Sequence, residues 1–128
     1  MKMKATDFRK KCISEKQEQN QCLEILNGLP NFNVWRQNTG ASRYQNKDGT
    51  YRMVRFSSKG MPDIMGYVKK DGKTIPFFWE VKRHNGKLSD TQKMFLEKFE
   101  KDGCYASYGT SQDLIRYLSI KKLMEWSV

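Results

Sequence analysis

Residues 63–82, DIMGYVKKDGKTIPFFWEVK, decide how this sequence folds. Asp71-Gly72 lies between two strand-like runs, residues 64–68 and 75–83. Asp-Gly so flanked is among the strongest hairpin signals, because both residues tolerate the positive φ of a type I′ turn. With Asp71 and Gly72 as a two-residue loop, Lys70 pairs with Lys73, and the same register carried outward sets Asp63 opposite Glu80. A four-residue loop centred on the same point gives the same register. The two carboxylates then share one face, with Cα atoms about 4.5–5.5 Å apart. Met65, Tyr67, Phe78 and Lys82 stand on that face, and Ile64, Val68, Ile75, Phe77, Trp79 and Val81 form the candidate core on the other. A one-residue slip would bury the charges and expose the apolar set. Pro76 fits if its missing N–H is directed away from a ladder bond.

Two carboxylates held side by side cannot both stay ionised without cost; one takes a proton, or a cation sits between them. Lys82, on the same face, supplies one positive charge. An oxygen-only pair suits a hard divalent ion such as magnesium or manganese. An acidic pair in a chain of net charge +10 points to a site that takes metal and then phosphate. The same three residues would also make an exposed cluster of surface ion pairs, and spacing alone does not separate the two.

The rest of the chain reads as one domain over residues 13–128, preceded by a loosely ordered basic segment, residues 1–12, with Phe8 as an anchor. Ser14-Glu15-Lys16-Gln17 is a capping box. It opens a helix running to Leu26, where Asn27-Gly28 supplies a left-handed stop and Pro30 blocks continuation. Glu15, Gln19, Cys22 and Leu26 share a stripe on that helix, and its two polar members are out of place among apolar ones. Residues 32–38 and 51–56 read as strands, separated by a polar loop and a turn at Asp48-Gly49. Ser89-Asp90-Thr91-Gln92 is a second capping box, opening a helix that carries Met94, Phe95, Leu96 and Phe99 and ends at Asp102-Gly103. A strand over residues 104–108 and a helix from Ser111 through Leu114, Ile115 and Leu118 complete the order αββββαβα. That is an α/β (α+β) domain built around one sheet.

Composition narrows the function. Apolar residues make up 38% and aromatics 12%, enough to fill a core, which excludes a disordered chain. No run suits a membrane span, and the charged N-terminus has no apolar stretch behind it, so neither membrane nor secretory signal is expected. Cys12, Cys22 and Cys104 make no CxxC pair; packing thiols in a reducing, intracellular (cytoplasmic) compartment are expected. His84, the only histidine, reads as a surface loop residue, and no motif gives a Ser or Cys a histidine partner. Twenty-four Lys and Arg against fourteen Asp and Glu, spread along the chain, favour a polyanionic partner. Arg36, Arg43, Lys59 and Lys87 flank the carboxylates in sequence and are candidate phosphate contacts.

Gly60-Met61-Pro62-Asp63 followed by Trp79-Glu80-Val81-Lys82 resembles the Pro-Asp…(Asp/Glu)-X-Lys signature of the PD-(D/E)XK nuclease superfamily. Residues 14–19 (SEKQEQ), 35–41 (WRQNTGA), 60–64 (GMPDI), 80–83 (EVKR) and 86–92 (GKLSDTQ) stand in the order expected of VRR-NUC domains. The resemblance spans about residues 15–118, with departures at Glu18, where an apolar residue is expected, and at Asp102-Gly103, where a Gly pair is more usual.

The resemblance implies a central mixed β-sheet flanked by helices and a DNA endonuclease dependent on Mg2+ or Mn2+. By position, Asp63 and Glu80 would be the main metal ligands, with the Val81 carbonyl as a further oxygen and Glu15 holding the metal or its water. Lys82 would orient or deprotonate the attacking water, and Gln92 would contact that water or the scissile phosphate. Stand-alone members resemble Holliday-junction resolvases, so branched or junction DNA is the expected partner. Flap cleavage, or a non-catalytic DNA-binding module on the same fold, are the alternatives. Symmetric junction cleavage needs two sites, and one short chain carries one, so a homodimer is expected. Met53, Val54 and Phe56, or Leu123, Met124 and Trp126, are its candidate interface residues.

Overall fold

The computed structural model describes residues 13–37, 41–55 and 59–124. Among these the elements run α1 (Glu15–Asn27), β1 (Phe32–Arg36), β2 (Ala41–Gln45), β3 (Tyr51–Arg55), β4 (Ile64–Lys70), β5 (Lys73–Val81), α2 (Asp90–Lys101), β6 (Tyr105–Gly109) and α3 (Ser111–Ile120). Residues 1–12, Asn38, Thr39, Gly40, Phe56 and Trp126, on which some expectations rested, lie outside the described residues.

The hairpin forms with the expected register. Asp71 and Gly72 take φ of 51° and 75°, Lys70 pairs with Lys73, and the ladder runs back to Ile64 opposite Trp79. β1 pairs antiparallel with β4 on one side, and β6 pairs parallel with β5 on the other, giving a mixed sheet of order β1-β4-β5-β6. Pro76 is accommodated because the β6 ladder begins one residue later, at Phe77. β5 ends at Val81 rather than Arg83: the Lys82 N–H still donates to the Gly109 carbonyl at 3.0 Å, and the chain then turns, with Asn85 at φ 63°.

One strand was not anticipated. Residues 41–45 form β2, paired with β3 in a separate two-stranded ribbon, so the order is αβββββαβα. The sequence read there as a loop because β2 carries no alternation of apolar and polar residues to announce a buried face.

Each helix opens with a capping box. Ser14 and Gln17, and Ser89 and Gln92, exchange side-chain and backbone bonds at 3.2 and 2.9 Å. Thr110 and Asp113 do the same for α3, so its cap lies at Thr110 and Ser111 is the first helical residue. The expected left-handed stop of α1 is absent. Gly28 is right-handed (φ −78°, ψ −10°), and Leu29 and Phe32 continue with i→i−3 bonds to Leu26 and Leu29. That tightened exit delivers Leu29, 3% exposed, into the core.

Both sheet faces are covered. Ile64, Val68, Phe77, Trp79 and Val81, as expected, meet Cys22 and Leu26 of α1 and Leu114 and Leu118 of α3, with Ile75 at the margin. On the other face Met65 and Phe78 meet Leu96 and Phe99 of α2, with Phe78 and Phe99 stacked at 4.1 Å. Leu123, expected at an interface between copies, belongs instead to the first cluster at 1% exposure, and Met124 packs against it. A chain turn after α3 brings Leu123 back, its N–H donating to the Leu118 carbonyl at 2.8 Å.

Gly66 marks the tightest approach in the sheet. A Cβ there would collide with the Asn33 carbonyl and stand 2.6 Å from Val34 Cα, both backbone groups of β1. Gly66→Ala should therefore destabilise by roughly 2–3 kcal/mol in urea unfolding, since strands must part to admit a methyl group. Gly28→Ala should stay within about 1 kcal/mol of wild type, because right-handed φ suits alanine. Equal effects would contradict the close packing of β1 on β4.

Candidate active site

The site is built where β4 begins and β5 ends. Asp63 and Glu80 are the next residues in register beyond the Ile64–Trp79 pair. Asp63 is fixed from two sides: its Oδ2 accepts the Val81 N–H at 3.1 Å, and its carbonyl accepts the Gln37 N–H at 2.6 Å. Pro62 before it is fully buried. Gly60, with φ 87°, lets this loop lie against α2, since a Cβ would stand 2.5 Å from Thr91 Cγ2.

Glu80 is the unusual residue. It is only 3% exposed, because α2 lies over this face of the sheet. Its Oε1 accepts from Gln92 Nε2 at 3.2 Å and stands 4.0 Å from Lys82 Nζ. Its Oε2 is buried without a hydrogen-bond partner. Burial pushes its carboxyl group up to about 9; Asp63 adds to the rise as a hydrogen-bond partner and a like charge, Lys82 opposes it, and Glu15 adds a little more. As a carboxylate, Glu80 leaves Oε2 orphaned; as the acid, it has Asp63 to bond with. Sequence pairing anticipated the shared face of Asp63 and Glu80, but not that helix α2 would bury it.

Gln92 serves two structures at once. Its Oε1 accepts the Ser89 N–H in the α2 capping box, which leaves Nε2 directed at Glu80. Asp63, Glu80, Lys82 and Gln92 are thus brought together. Glu15, the exposed first residue of α1, is hydrogen-bonded to none of them, although its charge is felt at Glu80. Among the described residues no three His, Cys, Asp or Glu side chains stand at metal-binding spacing, so the carboxylate centre is a pair. Arg36, Lys59 and Lys87 are exposed at the end of β1, before Gly60 and before α2; Arg43 is exposed on β2, stacked 3.8 Å over the Tyr51 ring. His84 is exposed in the turn after β5.

Sequence reasoning missed Glu18. The buried stripe of α1 is Glu18, Cys22 and Leu26, not one led by Glu15. Glu18 Oε2 accepts the Ser111 N–H at 2.6 Å, and Ser111 Oγ donates to Gln21 Oε1 at 2.8 Å. A carboxylate at the N-terminus of α3 satisfies an otherwise orphaned N–H and complements the helix dipole. The contact ties α1, and therefore Glu15, to α3. The departure of Glu18 from its expected apolar type was the available signal. Cys22 and Cys104 are free thiols, and burial pushes the Cys22 thiol up to about 12, which keeps it protonated and inert.

The Glu80 shift has a sign that can be measured. A carboxyl group that ionises near 4.5 in the unfolded chain and near 9 when folded stabilises the fold at low pH. That contribution is lost as pH rises between those values. With divalent ions chelated, wild type should lose melting temperature from pH 5 to pH 9. Glu80→Gln should show a flatter profile and melt roughly 4 °C or more above wild type at pH 8. Parallel profiles would mean that Glu80 is ionised and satisfied in the folded chain.

The helix-flanked mixed sheet is the arrangement of the PD-(D/E)XK nucleases. No curated relative and no solved structure matches the chain. One family does: the model of the VRR-NUC domain matches residues 7–112, a span that contains Glu15, the Asp63–Glu80 pair, Lys82 and Gln92, and by that match the chain belongs to the VRR-NUC family of nuclease domains.

Proposed function

We propose that the protein is a divalent-metal-dependent DNA endonuclease, specific for branched DNA and resembling a Holliday-junction resolvase. The observation that carries this reading is Glu80: a buried carboxylate with an idle oxygen, beside a second carboxylate, in a chain of net charge +10. A hard divalent cation would satisfy that oxygen and balance the pair. The donors are oxygens only, which fits Mg2+ or Mn2+ rather than a thiolate- or imidazole-seeking metal.

Asp63 and Glu80 would hold the ion, with the Val81 carbonyl as a further oxygen and Glu15 holding the ion's water on this reading. When bound, the ion supplies charge neutralisation at the phosphate and a lowered pKa for water. Lys82, 15% exposed, orients the attacking water and offsets negative charge developing on phosphorus as the P–O bond breaks. Gln92 holds Glu80 through its Nε2 and keeps the carboxylate turned toward Asp63. Arg36, Lys59 and Lys87 would take flanking phosphates.

The test is a cleavage panel on labelled junction, flap, nicked and plain duplex DNA with Mg2+ or Mn2+. Junction cutting should exceed duplex cutting. Asp63→Asn and Glu80→Gln should each reduce it by at least a hundredfold while the fold persists. Lys82→Ala should lose turnover far more than affinity, because its effect falls on the transition state. Cleavage in chelator, or carboxamide variants that cut at the wild-type rate, would overturn the site assignment; preference for flaps would favour the alternative substrate.

Paired cuts in a junction require two sites, so the active species on this reading is a homodimer. Light scattering at micromolar concentration should return about twice the monomer mass of 15.1 kDa. A monomer that still resolves junctions by paired cuts would refute the argument.

A further inference from the structure

The β2–β3 ribbon has no place in the main sheet, and its described side chains are exposed on both faces save the half-buried Asn46. An isolated two-stranded ribbon gains little stability by itself in water, so a ribbon with two wet faces calls for a use. Residues 41–55 hold Arg43, Lys47, Arg52 and Arg55 against a single acid, Asp48. On one face Arg43 lies opposite Met53 and stacks 3.8 Å over Tyr51; on the other, Tyr44 lies opposite Arg52. Each face therefore presents arginine with tyrosine. The acid is engaged in the turn, where Asp48 Oδ1 accepts the Thr50 N–H and hydroxyl at 2.9 and 2.6 Å. A further bond from Asn46 Nδ2 to Thr50 Oγ1 at 3.0 Å stiffens the tip.

Gln37 and Gly60, described residues on either side of the ribbon, are both held at the site. The chain enters it after Gln37, whose N–H is bonded to the Asp63 carbonyl, and leaves it before Gly60, packed on Thr91 of α2. Five-residue strands reach about 17 Å, and a two-stranded ribbon fits the major groove of B-form DNA.

Resting on the nuclease reading, we infer that the β2–β3 ribbon is an arm that enters the major groove of the duplex flanking the cleaved phosphate. Arg43, Lys47 and Arg52 contact phosphates and base edges there, while Tyr44 and Tyr51 pack against the groove walls. A second copy of the chain is the weaker occupant. In a twofold contact the ribbon would meet itself, bringing its cations against the same cations.

The test is binding of a short labelled duplex and of the matching single strand, in chelator, by fluorescence anisotropy across a salt series. Arg43→Ala/Arg52→Ala should weaken duplex binding roughly tenfold or more and reduce the salt slope by about 2, with a smaller loss on the single strand. Lys47→Ala, at the tip outside either strand, should act in the same direction with a smaller effect. Lys98→Ala/Lys101→Ala, an equal loss of charge at the far end of α2, should change binding by less than threefold. Removing exposed side chains should leave melting temperatures unchanged. The inference is overturned if the ribbon and α2 variants behave alike, or if duplex and single strand weaken equally. It is also overturned if DNA binding holds while light scattering reports a changed mass. Wild type that binds duplex through the ribbon yet never cuts with Mg2+ would sink the nuclease reading and leave the arm standing.

Discussion

The antiparallel pairing of β4 with β5 is the constraint on which everything else rests. Asp71 and Gly72 accept left-handed φ, and that turn fixes which residue of one strand faces which residue of the other. Three outcomes come from the one register. Phe77, Trp79 and Val81 enter the core against α1 and α3, Phe78 meets Leu96 and Phe99 beneath α2, and Glu80 arrives beside Asp63. A slip by one residue would fail in all three at once, so the hydrophobic effect that holds the core also holds the two carboxylates together. Packing energy on this scale, about 1.5–3 kcal/mol for each large buried side chain, is ample to hold two carboxyl groups side by side.

The other buried or bonded acids show how far Glu80 departs from ordinary use. Glu18 has the Ser111 N–H, Asp113 has Thr110, and Asp48 has Thr50. In each case a backbone donor meets the carboxylate and the charge strengthens a turn or a helix end. Glu80 has one hydrogen bond from Gln92, a lysine at 4.0 Å and an idle oxygen. A protein does not gain stability from such an arrangement. Protonation relieves it: as the acid, Glu80 donates to Asp63 instead of facing it as a second charge.

Legibility in the sequence followed from how local each signal was. The two serine capping boxes, the Asp-Gly turn and the two-faced pattern of residues 63–82 could be read directly, because each is decided by a few neighbouring residues. β2 could not, since the described side chains of the ribbon are exposed on both faces and leave no apolar alternation to detect. The exit of α1 was misread because Asn27-Gly28 permits a left-handed stop without requiring one, and burial of Leu29 decided otherwise. Glu18 and Leu123 were missed for the same reason. Each is positioned by partners far along the chain, Ser111 for the first and, for the second, the core residues of α1 and the sheet together with the Asn31 side chain, which donates to its carbonyl. In the candidate site, the pairing of Asp63 with Glu80 was legible, while the burial of Glu80 required knowing where α2 would lie.

Gln92 joins these levels. Capping boxes fix a helix start to within one residue, because both partners must reach each other's backbone. In α2 the same side chain that closes the box also donates to Glu80. The start of the helix and the orientation of the buried carboxylate are thus one geometric condition. A helix shifted by one residue would lose its cap and release Glu80 together, so the order of α2 guards the order of the site. The loop before Asp63 adds a second hold on the same turn, since Gly60 lies against Thr91, the residue next to Gln92. Strand register sets the carboxylates side by side, and the first turn of α2, gripped from both directions, keeps them turned toward one another.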